Sequence, residues 1–297
     1  MAAERRGRLR TRAGSPEPLE RLRIAVPSKG RLREPAIELI HDAGLGPETP
    51  GDRALAFPCR NAPVEALLVR AEDIPEYVQD GVVDCGITGL DIVRERALDV
   101  TELVLLGFGA CSLEAAVQSE SAVRSLKDLR GARVATSFPR LARDLLPGDV
   151  ELVDVSGSVE LAPRLGLADA IVDLVSSGST LRTNGLRSVG SLLDSEAVLI
   201  GPPEPRDDAL QLAGVFRSVV DARGARYLML NAPEESLEEI CSLVPGSRAP
   251  SVLPLAEPGM VAVHSVVPAQ DVWRLLPALE AAGASSILLV PLERMLA

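Results

Sequence analysis

The sequence ADAIVDLVSSGST, residues 168–180, runs from an apolar segment into a group of hydroxyl-bearing residues around a single glycine. The apolar segment has the length of a buried strand, and residues 181–186 can begin a helix after it. A buried strand that leads through a short loop into a helix is typical of an α/β fold with a largely parallel sheet. We call residues 176–180 the hydroxyl loop.

The hydroxyl loop has the composition of a phosphate-binding loop. Backbone N–H groups at the start of a helix, together with Ser and Thr hydroxyls, attract anions, and glycine lets the backbone approach a ligand closely. The candidate phosphate contacts are Ser176, Ser177, Gly178, Ser179 and Thr180. A second interpretation stays open, because Ser and Thr also cap helices that bind nothing.

Two carboxylates, Asp169 and Asp173, precede the hydroxyl loop on the apolar strand. A carboxylate repels phosphate, so neither residue is a phosphate ligand. Carboxylates near the end of a strand instead suit ribose hydroxyls or hydrated Mg²⁺. The two aspartates therefore favour phosphosugar binding over a simple helix cap.

The same alternation of strands and helices extends along the chain. It predicts elements over 22–26, 34–43, 65–69, 71–80, 82–87, 103–106 and 113–118, then a second unit over 126–129, 133–136, 140–146 and 151–155. A strand over 197–200 returns the chain to the first unit before a helix over 207–222. Two such units with a return crossing predict a two-lobed, type II periplasmic-binding-protein-like fold.

The pattern changes after residue 225. The sequence predicts strands over 227–231, 251–255, 260–267 and 286–291, with helices over 236–243 and 269–282. This β-α-β-β-α-β order indicates a ferredoxin-like (ACT-like) domain, common in regulatory or dimerising modules. Trp273 follows Val272 and precedes Leu275 on an apolar stripe, so it is predicted to lie in the core of that domain.

These units give the predicted domain boundaries. Residues 1–21 form a basic extension that we expect to be disordered, 22–110 plus 196–224 a discontinuous first domain, 111–195 a second domain with the hydroxyl loop, and 225–297 a third. With 297 residues, 46% of them hydrophobic, the chain is long enough to bury a sizeable core.

Charge and composition exclude several function classes. The chain has 31 Lys and Arg against 42 Asp and Glu, and the resulting net charge of −11 disfavours a general nucleic-acid binder. Aromatic residues make up only 2% of the chain, which also disfavours base stacking on an aromatic platform. We therefore expect no nucleic-acid partner.

The cysteines and the ends of the chain indicate the compartment. Cys59, Cys85, Cys111 and Cys241 lack metal-ligand spacing and are predicted to be buried, reduced thiols. No apolar run approaches the ~18 residues that span a bilayer, so no membrane partner is expected. The arginines near the N-terminus are not followed by the apolar stretch of a secretory signal. Together these features predict a cytoplasmic protein.

Further motifs accompany the hydroxyl loop. They are 27–32 (PSKGRL), 70–91, 106–109 (LGFG), 133–139 (RVATSFP), 156–160 (SGSVE), 163–169 and 227–231 (YLMLN). Together they resemble the ATP phosphoribosyltransferase family, the first enzyme of histidine biosynthesis, in its long form with a C-terminal regulatory domain. The resemblance covers about residues 22–296.

This resemblance implies a reaction that joins N1 of ATP to C1 of 5-phosphoribosyl 1-pyrophosphate and releases pyrophosphate. It also implies Mg²⁺ as cofactor, a homo-oligomer between dimer and hexamer, and feedback inhibition by histidine through residues 225–297. Such a reaction needs orientation and charge stabilisation more than acid–base catalysis, because adenine N1 is largely unprotonated at neutral pH.

The resemblance also implies roles for individual residues. The hydroxyl loop would hold the 5-phosphate, with Asp173 and Asp169 on the ribose hydroxyls or, through water, on Mg²⁺. Lys29, Gly30 and Arg31 lie in a turn whose cations would meet pyrophosphate or triphosphate in catalysis and ATP binding. The alternative for that turn is a solvated surface position.

Three further residues complete the predicted ATP site: Asp84, Glu160 and Arg143. The two carboxylates would position adenine or metal, or would only cap a helix or satisfy a turn. Arg143 would lie near phosphate. His41 and His264 are interpreted as ordinary helix and strand residues.

The chain departs from the family at Arg140, where Asn is usual, and at Ser251 and Leu253, where Thr and Ser are common. The competing interpretation is a non-catalytic ligand-binding or regulatory paralogue with a solute-binding-protein fold. Such a protein would not need residues 173–180, which are intact, so the enzyme is favoured.

Overall fold

The computed structural model describes residues 21–47, 55–244 and 249–296. Within these ranges the chain forms sheets of six, five and four strands. The predicted disordered extension, residues 1–21, lies outside the described residues except for Arg21.

The first lobe is built on the six-stranded sheet. Its strands are β1 (Leu22–Pro27), β2 (Ala56–Pro58), β3 (Val64–Val69), β4 (Cys85–Gly89), β5 (Thr101–Leu105) and β11 (Ala197–Gly201), and its helices are α1 (Arg33–Asp42), α2 (Ile74–Gln79), α3 (Leu90–Arg96) and α6 (Asp207–Arg223). The strand order is β2-β3-β1-β4-β11-β5. Because β1 runs parallel to β3 and β4, the carboxyl ends of these three strands meet at one edge.

The second lobe is built on the five-stranded sheet. Its strands are β6 (Cys111–Gln118), β7 (Arg133–Thr136), β8 (Glu151–Asp154), β9 (Ala170–Val175) and β10 (Leu186–Ser195), and its helices are α4 (Pro139–Leu145) and α5 (Ser179–Thr183). The strand order is β10-β6-β9-β7-β8, with β7 parallel to β8 and β9.

Strand β10 was not predicted from the sequence. The predicted helix over 181–186 ends early because Gly185 takes a left-handed backbone conformation, with φ of +68°. Two register shifts, at Ser188/Gly190 and Ser191/Leu193, then interrupt the pairing of β10 with β6. Such bulges break the alternation of apolar and polar residues that marks a strand in sequence.

Two chain segments join the lobes: residues 106–110 between β5 and β6, and Glu196 between β10 and β11. We call them the hinge. The Leu106 N–H donates to the Ala197 carbonyl at 2.9 Å, and the Ala197 N–H donates to the Phe108 carbonyl at 2.9 Å. Each lobe has its own buried core, and a cleft lies between the two lobes.

The third unit is an antiparallel sheet with order β13-β14-β12-β15. Its elements are β12 (Ala225–Pro233), α7 (Leu237–Leu243), β13 (Ser251–Pro254), β14 (Met260–Pro268), α8 (Val272–Ala281) and β15 (Ser285–Pro291). This order confirms the predicted β-α-β-β-α-β arrangement, and with the two lobes it confirms the predicted fold class. The exact domain boundaries stay a prediction, which the membership of the three sheets supports.

The predicted core position of Trp273 is wrong, since its side chain is 87% exposed. Helix α8 buries Leu275 and Leu279 instead. Successive helical residues are separated by about 100° around the axis, so the residue after Val272 points away from the sheet that Val272 packs against.

All four cysteines are unpaired, as predicted; three are buried and Cys241 is half-buried. Burial raises the pKa of Cys59 to about 11, so this thiol stays protonated at neutral pH. Among the described residues, no helix combines the length and the apolar character needed to cross a membrane.

Candidate functional site

A cleft of about 850 Å³ lies between the two lobes. The first lobe lines it with the turn after β1, and the second lobe lines it with Phe138, Pro139 and Ser156, among other residues. The crevice outside the carboxyl ends of parallel strands is the usual ligand position in α/β folds. The volume lies in the range of small-molecule sites, roughly 300–1,000 Å³.

A second, smaller pocket of about 100 Å³ lies at the hydroxyl loop. It is lined by Glu160, Asp173, Leu174, Val175, Ser176, Ser177, Gly178, Thr180 and Leu181. The Ser179 hydroxyl is instead hydrogen bonded to the Ser177 hydroxyl at 2.8 Å. Leu174 lines both the small pocket and the cleft, so the two spaces adjoin at the carboxyl end of β9.

The hydroxyl loop turns the chain from β9 into α5. Gly178 has a φ of +67°, a conformation that costs a non-glycine residue about 1–2 kcal/mol. The Arg182 guanidinium folds back over the loop, with Nη2 3.5 Å from the Ser177 carbonyl oxygen. Arg182 thus brings a positive charge next to the hydroxyl loop. Sequence analysis missed it, although its position four residues after the glycine was a usable signal.

Asp173 lines this pocket and interacts with two groups, the backbone N–H of Leu174 and the carboxylate of Glu160. Burial raises the pKa of Asp173; the Leu174 N–H, which donates to its Oδ1 at 2.8 Å, opposes the shift, and the charge of Glu160 adds to it. The structure therefore brings Asp173 and Glu160 together beside the hydroxyl loop. Glu160, predicted for the ATP site, lines the small pocket rather than the cleft.

The predicted place of Asp169 beside the hydroxyl loop needs correction. Asp169 precedes β9, whereas the loop follows it, and the intervening strand separates them by roughly 20 Å. The Asp169 Oδ2 accepts the Arg133 N–H at 2.8 Å, and its own N–H donates to the Arg133 carbonyl at 2.8 Å. Its carboxylate satisfies a backbone N–H at the amino end of β7, and Asp169 lines neither pocket.

Asp84 requires the same correction in the first lobe. It precedes β4, and its Oδ2 accepts the Arg23 N–H at 2.7 Å while its own N–H donates to the Arg23 carbonyl at 3.0 Å. Oδ1 accepts a hydrogen bond from the Arg206 guanidinium at 3.1 Å. Each lobe thus places an aspartate before a parallel strand, where it satisfies an N–H near the start of the neighbouring strand.

The turn after β1 does lie in the cleft. Lys29 is exposed there and has no hydrogen-bond or ion-pair partner within the described part of the chain. Arg31 also lines the cleft, but its Nη1 donates to the Gly109 carbonyl of the hinge at 2.5 Å, and its Nη2 lies 3.7 Å from Asp91 Oδ1. Asp91, only 1% exposed, also accepts the Ser195 hydroxyl at 2.5 Å.

The remaining residues divide as follows. Arg143 is exposed on α4 and lines neither the cleft nor the small pocket. Sequence analysis missed Glu95, Arg96 and Asp154, which do line the cleft. These charged residues follow helix or strand patterns without any motif, so only their placement in space identifies them.

The described residues form no ready set of ligands for Mg²⁺. Within the ranges that the structure describes, no three His, Cys, Asp or Glu side chains are grouped as a metal site. The predicted pair does not come together, because Asp169 precedes β9 and Asp173 lies near its carboxyl end. Asp169 is also already bonded to the Arg133 N–H. These residues therefore do not fit a cation held by the protein alone.

Comparisons with known proteins give one consistent result. A family model described as ATP phosphoribosyltransferase matches residues 70–217, and one described as the HisG C-terminal domain matches residues 222–294. An ATP phosphoribosyltransferase from Natronomonas pharaonis is 44% identical over 279 residues, covering 92% of this chain and 99% of that protein. One from Gemmatimonas aurantiaca is 44% identical over 291 residues, covering 93% and 99%.

Among solved structures, the ATP phosphoribosyl transferase (HisG:HisZ) complex from Thermotoga maritima has a similar chain, with a TM-score of 0.57. That chain is 24% identical, and the match covers 67% of this chain and 98% of that one. This likeness concerns the fold.

Proposed function

Because this chain belongs to the ATP phosphoribosyltransferase family, we propose that it joins N1 of ATP to C1 of 5-phosphoribosyl 1-pyrophosphate and releases pyrophosphate. Membership makes the chain an enzyme, a pentosyltransferase of histidine biosynthesis, rather than a non-catalytic solute-binding paralogue. The observation that carries the detailed proposal is the junction at Leu174, where a phosphate-sized pocket opens beside a nucleotide-sized cleft.

The small pocket is the proposed phosphoribosyl site. Backbone N–H groups and hydroxyls of the hydroxyl loop would hold the 5-phosphate, with the Arg182 charge alongside. Asp173 and Glu160 would accept hydrogen bonds from the ribose hydroxyls, which suits carboxylates that lie together in a partly buried pocket.

The cleft is the proposed ATP site. Lys29 and Arg96 line it from the first lobe and can meet the polyphosphate, while Arg31 stays tied to the hinge. Its position beside Leu174 would orient adenine N1 towards C1 of the ribosyl group. Orientation of two reactants in this way supplies much of the rate enhancement in such a reaction.

In the proposed step, the lone pair of adenine N1 forms a bond to C1 as the bond from C1 to the pyrophosphate oxygen breaks. The electron pair of that bond leaves with pyrophosphate, and the ribosyl group carries positive charge in the transition state. Asp173 and Glu160 would stabilise that charge. Mg²⁺ would enter with the polyphosphate substrates, since it usually keeps several waters and binds substrate phosphates.

We further propose that the protein is cytoplasmic, forms a homo-oligomer between dimer and hexamer, and is inhibited by histidine through residues 225–297. The third unit contributes no lining residue to the cleft or the small pocket among the described residues. An effector bound there would act at a distance, which suits a regulatory role.

The test measures absorbance of the N1-substituted adenine product from ATP and 5-phosphoribosyl 1-pyrophosphate with Mg²⁺, with and without histidine. We expect product that requires both substrates and falls when histidine is added. Absence of product would contradict the proposed reaction. Product formation that is indifferent to histidine would contradict only the proposed regulation.

A further inference from the structure

Glu95 connects the two lobes across the cleft. It lies on α3 of the first lobe, is half-buried, and is one of the residues that line the cleft. Its Oε1 accepts the Arg140 N–H and its Oε2 accepts the Leu141 N–H, both at 2.9 Å. Arg140 and Leu141 belong to α4 of the second lobe, so one side chain forms two hydrogen bonds from one lobe to the other.

These bonds supply a cap that α4 otherwise lacks. The first N–H groups of a helix have no partner within the helix, and Phe138, at the N-cap of α4, provides no side-chain hydrogen bond. A carboxylate at this end is favoured by the helix dipole and by charge-assisted hydrogen bonding. Separation of the lobes would remove both bonds and leave the buried Leu141 without its acceptor.

The capped turn itself contributes to the cleft. Phe138 and Pro139, directly before the two bonded N–H groups, line the cleft opposite Lys29 and Arg31. The contact made by Glu95 therefore fixes the distance between the cleft-lining residues of the two lobes.

We propose that Glu95 is a positioning residue that holds the second lobe closed on the first, and so sets the geometry in which the two substrates meet. The kinetic part of this inference rests on the proposed function. The contact itself does not, because it is a direct hydrogen-bonded contact between α3 and α4. When a binding-competent state is only partly populated, apparent affinity falls in proportion to its population.

The test compares Glu95→Gln with Glu102→Gln. Glutamine offers one acceptor oxygen, and its amide would face the second N–H, so one of the two bonds is lost. Glu102 pairs with Arg94 of α3 at 2.7 Å, within the first lobe, so its variant removes the same charge near the same helix without touching the second lobe.

In hydrogen exchange without substrate, we expect the amides of Arg140 and Leu141 to exchange faster in Glu95→Gln than in wild type or Glu102→Gln. In steady-state kinetics we expect KM for both substrates to rise about tenfold in Glu95→Gln, with kcat little changed. Circular dichroism would verify that each variant is folded.

Unchanged exchange at residues 140 and 141 would overturn the proposal. So would faster exchange with unchanged KM, which would make Glu95 a helix cap only, or a lowered KM, which would make the contact inhibitory. If wild type itself forms no product, the proposed function fails, and the exchange experiment still decides whether Glu95 protects the amides of Arg140 and Leu141.

Discussion

At the scale of the residue, Asp169 and Asp173 show how position along one strand decides the role of a carboxylate. They lie four residues apart, with Asp169 directly before β9 and Asp173 within it. Asp173 lines the small pocket, where burial raises its pKa. Asp169 instead accepts a backbone N–H at the amino end of β7. Chemistry alone made them equivalent candidates; hydrogen-bond partners separate them.

Asp173→Asn is expected to lower kcat/KM about 10- to 100-fold, because a charge-assisted hydrogen bond to substrate is lost. It should also stabilise the fold. The pKa of Asp173 is higher in the folded than in the unfolded protein. The free energy of unfolding therefore falls as pH rises from the unfolded-state pKa to the folded-state pKa, and it stays lowered above the folded-state pKa.

The asparagine variant should therefore melt at a higher temperature than wild type at pH 7, and this difference should vanish below about pH 3, where both states of wild type are protonated. Thermal unfolding at the two pH values, beside the product assay, measures both effects. Full activity would contradict the proposed role, and a lower melting temperature at pH 7 would contradict the pKa direction.

Asp169→Ala is expected to behave in the opposite way. Loss of the acceptor for the Arg133 N–H should cost about 1–2 kcal/mol of unfolding free energy. The kinetic constants should stay unchanged, because the carboxylate faces neither pocket. Urea unfolding with the product assay tests this, and a large fall in kcat at unaltered stability would return Asp169 to the catalytic site.

At the scale of the element, both lobes form their part of the site in the same way. A parallel strand ends at the cleft and the chain turns through a left-handed glycine, Gly30 after β1 and Gly178 after β9. Each turn leads towards a helix and exposes polar groups at the carboxyl end of its strand. The requirement for glycine differs, however, since a Cβ at Gly30 would meet nothing and one at Gly178 would lie 3.2 Å from Arg182 Nη1.

Gly178→Ala should raise KM for 5-phosphoribosyl 1-pyrophosphate about tenfold or more, through backbone strain and displacement of Arg182. Gly131→Ala is the matched control, because Gly131 has a φ of +76° and a Cβ there would enter open space. The control should lose stability without a change in KM. Equal kinetic effects of the two variants would show that strain alone, and not the hydroxyl loop, is responsible.

At the scale of the whole molecule, the third unit carries an exposed apolar face. The helices cover one side of its sheet, with Leu228 and Val263 in the core between them. On the other side, Leu288 is 56% exposed and lies next to Met229 in register. An exposed apolar sheet face of this kind supports the proposed homo-oligomer.

Leu288→Asp should lower the molecular mass of the assembly measured by light scattering, because a charge would be buried at the proposed contact. The fold should persist, since Leu288 is exposed in the single chain. Leu210→Asp on α6, where the leucine is 48% exposed, is the control and should leave the mass unchanged. Dissociation by the α6 variant alone would place the contact on the first lobe instead.

The sequence by itself determined the order of elements, the three-part architecture and the hydroxyl loop with Asp173. These features depend on local patterns: apolar periodicity, glycine at turns, and a strand followed directly by its loop. Strand β10 was not predicted because its bulges interrupt the alternation of apolar and polar residues. The exposure of Trp273 was not predicted because neighbouring positions on a helix face different directions.

Only the tertiary structure decided which charged residues meet. Asp84 and Asp169 lie at the amino ends of their strands, away from the cleft. Glu160 lines the small pocket and not the expected ATP site, and Arg143 lines neither space. The tertiary structure also brought Glu95 to α4 across 45 residues of sequence. Such contacts form only when whole lobes pack against each other. The type of a residue and its neighbours in sequence therefore do not specify which residue it contacts in the folded protein.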